Sequence, residues 1–79
     1  MKLPRDLAGE DLVKLLCKHF GYVRVNQEGS HIVLQTSSPR QHRLAVPNHS
    51  PLRLGTLNAI LRSVAGVKGV TKEDILSFL

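Results

Sequence analysis

Apolar residues recur along this 79-residue chain with two different periods. Leu12, Val13, Leu15, Leu16 and Phe20 are spaced by threes and fours, which predicts a helix with one buried stripe. Glu10 and Asp11 in its first turn and Lys18 in its last suit the helix dipole. Gly21 supplies the stop, and Met1 to Leu7 reads as a loose lead-in. From Tyr22 the period drops to two. Val23 and Val25 fall on one face and Tyr22, Arg24 and Asn26 on the other, the pattern of a half-buried strand. Asn26-Gln27-Glu28-Gly29 is the predicted turn. Between Ser30 and Thr36 alternation resumes, with Ile32 and Leu34 pointing one way and His31, Val33 and Gln35 the other. Ser37-Ser38-Pro39-Arg40 is a polar turn. Gln41 to Val46 reads as a third strand, in which His42 shares a face with Leu44 and Val46. Pro47 and Pro51 end it, because proline cannot donate to a sheet ladder.

Gly55-Thr56 opens a second helical pattern, with Leu57, Ile60, Leu61 and Val64 as its buried stripe and Gly66 as its expected close. Val67-Lys68-Gly69-Val70 then reads as a linker. Thr71-Lys72-Glu73-Asp74 has the form of a capping box with a shortened acid, and Ile75, Leu76, Phe78 and Leu79 cover one side of a last short helix. Three strands joined by short turns make an antiparallel meander. The predicted class is α+β in two layers: helix, three-stranded antiparallel sheet, helix, short C-terminal helix. A chain of this length buries roughly 60% of its unfolded surface, enough for one core, so residues 1–79 read as a single domain.

Charge narrows the choice of partner. Eleven Lys and Arg against six Asp and Glu leave +5, which favours nucleic acid or an acidic protein. Aromatics are only 4% of residues, which argues against a platform for stacking single-stranded bases. The lone Cys17 has no internal disulfide partner and falls within a helical apolar pattern, where it packs as a small hydrophobe. No segment approaches 18 apolar residues, and the start has no apolar run long enough for a signal peptide. A soluble, cytoplasmic protein without membrane association is expected.

Few residues carry chemistry. Glu10, Asp11, Glu73 and Asp74 are explained by dipole and capping rather than by a catalytic carboxylate pair. Phosphate-loop and dinucleotide fingerprints are missing, and His19, His31, His42 and His49 have neither i, i+4 spacing nor paired cysteines, so no metal site is expected. His31 is different. Alternation places it opposite Ile32 and Leu34, where it should be accessible; Gly29 permits close approach of a backbone or ligand; and imidazole titrates near neutrality. Such a group can take a proton from a ribose 2'-hydroxyl and start attack on the adjacent phosphodiester. An exposed strand histidine without a role has the same pattern.

His49, between Pro47 and Pro51, can bind phosphate, assist proton transfer or fix a turn. His42 is expected to be partly buried and His19 to lie on the helix surface. The Gly55-Thr56 helix start leaves backbone N–H groups that suit a phosphate oxygen. Arg40, Arg43, Arg53 and Arg62 can track a nucleic-acid backbone or form a solvated basic face.

Four pieces in order resemble the HicA-type (YcfA-like) mRNA interferase toxins of toxin-antitoxin pairs. They are Gly21-Tyr22, Gly29-Ser30-His31, Val46-Pro47-Asn48-His49-Ser50, and Gly55-Thr56-Leu57-Asn58-Ala59-Ile60-Leu61-Arg62. The resemblance implies a double-stranded-RNA-binding-domain-like fold and metal-independent cleavage of mRNA, without a small-molecule cofactor. It assigns catalysis to a single histidine, His31 of the Gly-Ser-His motif. RNA contacts are then expected from Gly29, Ser30, Arg24, Arg43, His49, Gly55 and Thr56, with a HicB-type antitoxin covering His31. A non-catalytic RNA-binding module of the same fold, or a domain that only binds an antitoxin, are the competing readings. Family members commonly carry a basic residue shortly before Gly-Ser-His, where this chain has Asn26-Gln27-Glu28, and Val67-Lys68-Gly69-Val70 resembles a small insertion.

Overall fold

A computed structural model describes residues 3–79. The elements are α1 (Gly9–His19), β1 (Val23–Glu28), β2 (His31–Thr36), β3 (His42–Pro47), α2 (Leu54–Lys68) and α3 (Lys72–Leu76). The strands pair antiparallel in the order β1-β2-β3, with β2 in the centre. This is the α+β layout that the two periods predict, with the helices layered on one face of the sheet. Leu12, Val13, Leu15 and Leu16 from α1 meet Ile32, Leu34 and Val46 from the sheet, and Leu57, Ile60, Leu61 and Val64 from α2 complete that core with Ile75 of α3. Val33, on the opposite face, is only 7% exposed but lies outside this continuous cluster.

Several expectations are corrected by packing. Met1 and Lys2 lie outside the described residues, but the remainder of the lead-in is not loose: Leu7 is buried, and its carbonyl accepts a 2.8 Å hydrogen bond from the Leu52 N–H. In β1 the parity of the alternation holds while the buried face is reversed. Tyr22 is 2% exposed and every β1 residue is exposed, Val23 by 61% and Val25 by 46%. The Tyr22 ring occupies the inner layer, which turns Val23 outward, and a bulge between Arg24 and Asn26 shifts the register beyond it. β1 continues to Glu28, so the turn is Gly29-Ser30 rather than Asn26 to Gly29.

Helix α2 runs through Gly66 to Lys68 and is capped by Gly69, whose φ of 67° suits a left-handed residue and whose N–H bonds to the Ala65 carbonyl at 2.9 Å. Val67 is buried, continuing the stripe from Val64, and that burial selects the later glycine as the stop. Val67 and Lys68 are therefore helix rather than linker, with Gly69 as the cap. The Thr71–Asp74 capping box forms in both directions. Phe78 and Leu79 lie beyond α3 and are exposed; Phe78 stacks on His19 at 4.2 Å and meets Phe20 edge-on at 5.5 Å. Cys17 packs partly buried against the core, and that burial pushes its thiol pKa up.

Candidate active site

The β1–β2 hairpin sets the position of His31. Glu28 and His31 pair across its mouth, leaving Gly29-Ser30 as a two-residue loop. Gly29 has φ 60°, the left-handed value that the first position of a type II′ hairpin turn demands of glycine. No neighbouring atom lies near its missing side chain, so this glycine serves the turn rather than a close backbone approach. His31 thus begins the central strand, exposed, between Glu28 of β1 and Pro47 of β3. Among the described residues its imidazole takes no hydrogen bond.

Two connections hold the neighbouring chain at this end of the sheet. The Asn48 N–H donates to the Ser30 carbonyl at 2.6 Å, and the Gly9 N–H donates to the His49 carbonyl at 2.9 Å. The start of α1 therefore abuts the Pro47-Asn48-His49 loop, with His49 exposed on it. Helix α2 also begins here. Its far end is fixed by Lys68, whose Nζ donates to Thr36 Oγ1 at 2.8 Å and to the Ser38 carbonyl, at the opposite end of β2 from His31. Gly55 and Thr56, in its first turn, are consequently directed toward the His31 end. That first turn has no acidic residue, and its N-cap Arg53 makes no side-chain capping bond, so the amides retain their attraction for an anion.

The two arginines singled out from the sequence stand elsewhere. Arg24 reaches Glu10 of α1, donating to both carboxylate oxygens at 2.9 and 3.0 Å. Arg43 is opposite Gln35 and donates to its Oε1 at 3.2 and 2.8 Å. It shares the outer face with His31 but lies four residues further along the sheet, about 13 Å away. Glu28, in contrast, was not selected by motif or periodicity although it pairs with His31, and Asn48 stood in a motif without a role although its N–H bonds to Ser30. The signal that finds Glu28 is the two-residue loop, which forces the residues flanking it to pair.

His42 and His19 are occupied at a distance. His42, half-buried as its pattern predicts, pairs with Thr36, and the Tyr22 hydroxyl lies 2.9 Å from its Nδ1. Burial first, then the charges of Arg40 and Lys68, hold its pKa below the ordinary imidazole value. Burial likewise raises the Tyr22 phenol and lowers the Lys68 ammonium, which lies 5.1 Å from the Tyr22 ring centroid. His19 is exposed against Phe78. Among the described residues, no three His, Cys, Asp or Glu side chains are grouped to hold a metal ion, and no helix is long and apolar enough to cross a membrane.

A three-stranded antiparallel sheet with helices on one face and an unengaged histidine at the head of its central strand defines a small basic α+β protein of the double-stranded-RNA-binding-domain-like layout. Residues 9–65 match the family model described as the HicA toxin of bacterial toxin-antitoxin systems. The matched segment runs from the start of α1 into the last turns of α2, more than half of the chain, and the protein belongs to the HicA toxin family. Its role is that of a toxin with an antitoxin counterpart. No significant match to a curated protein or to a solved structure was found.

Proposed function

We propose that this toxin is an endonuclease that cleaves mRNA, with His31 as the general base. The observation that carries this reading is the accessible, unengaged His31 imidazole in a chain whose family is the HicA toxins. His31 takes the proton from a ribose 2'-hydroxyl, and the 2'-oxygen attacks the adjacent phosphorus. The products are a 2',3'-cyclic phosphate and a free 5'-hydroxyl, with no metal or other cofactor taking part. Gly29 and Ser30 set the histidine's position through the turn. His49 and the amides at Gly55 and Thr56 contact the phosphate being cut, where donors offset the charge that develops on its oxygens. Arg43 and Arg24 hold backbone further along the strand, with Arg24 exchanging Glu10 for a phosphate. In the cytoplasm, a HicB-type antitoxin covers His31.

The test is a metal-free incubation of a defined single-stranded RNA, and its all-deoxy counterpart, with parent and His31→Ala protein. Cleavage by the parent alone, leaving cyclic-phosphate ends and sparing the deoxy strand, is expected. Equal cleavage by His31→Ala refutes the assignment, and cutting of the deoxy strand refutes the chemistry. Salt-sensitive binding without product would instead indicate an RNA-binding module.

A further inference from the structure

Cleavage by a 2'-hydroxyl needs two proton transfers, since the departing 5'-oxygen would otherwise leave as a strongly basic alkoxide. We infer that His49 supplies the second, acting as the general acid opposite His31; the inference rests on the nuclease reading above.

The sheet register brings the two histidines to one place. His31 pairs with Pro47, and His49 follows Pro47 by two residues. Adjacent antiparallel strands place paired Cα atoms about 5 Å apart, and two residues span at most about 7 Å, so the two Cα atoms are within about 12 Å. Two imidazoles can flank one phosphodiester across that span. The backbone under His49 is held on both sides. Asn48 is bonded to Ser30, the residue before His31, and the His49 carbonyl accepts from Gly9 on the first turn of α1. Gly9 approaches so closely that an added Cβ would fall 2.1 Å from the Pro47 carbonyl oxygen. An exposed imidazole on so fixed a loop costs little ordering when substrate arrives.

The remaining groups do not fit the task. His42 is at the opposite end of β2, with Nδ1 against the Tyr22 hydroxyl. His19 lies at the C-terminal end of α1, stacked on Phe78. Glu28 borders His31 from β1, but an ionised carboxylate is an acceptor with no proton to give.

Neutral His31 removes the 2'-proton, the O2'–P bond forms, and the P–O5' bond breaks with its electron pair moving to O5'. That oxygen takes a proton from imidazolium His49. His31 is left protonated and His49 neutral, and exchange with water restores both.

An RNA with sulfur in place of the bridging 5'-oxygen at one linkage tests this directly, because a thiolate leaves without a proton. His49→Ala, and His49→Gln as a non-titrating variant that retains hydrogen bonding, are expected to cut ordinary RNA about 100-fold or more slowly than the parent. Relative to the parent, both should be slowed far less on the sulfur linkage than on ordinary RNA, the remaining slowing reflecting the lost phosphate contact, and both should lose the alkaline limb of the parent's bell-shaped pH profile on ordinary RNA. His31→Ala should be slow on both substrates. Equal slowing of the His49 variants on both linkages, or parent-like cutting of ordinary RNA, overturns the general-acid role while leaving the nuclease reading in place. If the parent cuts no RNA, or His31→Ala cuts as fast as the parent, the nuclease reading itself fails and this inference with it.

Discussion

Replacing Gly9 with alanine sets local propensity against packing, and the two predict opposite signs. Within a helix, alanine is favoured over glycine by up to about 1 kcal/mol. At this first helical position, however, the new Cβ would lie 2.1 Å from the Pro47 carbonyl oxygen, 3.1 Å from its carbon and 3.3 Å from the Asn48 Cα, all backbone atoms. Restoring an ordinary contact requires α1 and the loop to separate by about 1 Å, since overpacked backbone cannot rotate away. The 2.9 Å Gly9-to-His49 hydrogen bond would then stretch past the range of a bond. A buried N–H left without a partner costs about 1–3 kcal/mol, and the forced separation costs a similar amount. After subtracting the propensity gain, the net loss is about 3 kcal/mol, a large part of the roughly 4–12 kcal/mol expected for a domain of this size. Equilibrium unfolding in urea measures it, and the melting temperature should fall by about 12 °C or more. A variant as stable as the parent, or more stable, refutes the close approach and the anchoring of the His49 loop that follows from it.

Leu61 is fully buried among α1, the sheet and α2, so Leu61→Ala should cost about 2–5 kcal/mol in the same assay; an unchanged midpoint would show that α2 presents a different face. The depressed pKa of His42 makes stability depend on pH. The unfolded chain takes up a proton before the folded one does, so stability is retained above the ordinary imidazole pKa of 6.5 and lost as pH falls through the folded value. Melting temperatures at pH 7.5 and 5 should therefore drop further for the parent than for His42→Gln, and equal drops would contradict the linkage.

The elements that could be read directly are those whose cause is local. The α1 stripe is a spacing of threes and fours, the β2 alternation places Ile32 and Leu34 opposite His31, and the capping box of Thr71 and Asp74 is complete within four residues. Where reading failed, the cause lay at a distance. β-branched Val23 and Val25 report a strand but not which side of it is covered, and that side is decided by Tyr22 entering the inner layer and meeting His42, twenty residues on. Gly66 and Gly69 are equally good stops locally, and the burial of Val67 chooses between them. Arg24 reads as a free cation until α1 brings Glu10 against it.

By itself the sequence determined the order of helix, three strands and two helices, the outward position of His31 and the family motifs, because periodicity and turn chemistry act over a few neighbouring residues. Only the tertiary structure decided that Pro47 pairs with His31, that Asn48 is bonded to Ser30 and Gly9 to His49 at that end of the sheet, and that Arg43 stands at the other end. Those placements follow from strand register and from backbone approaches between residues some forty positions apart, which no local pattern records.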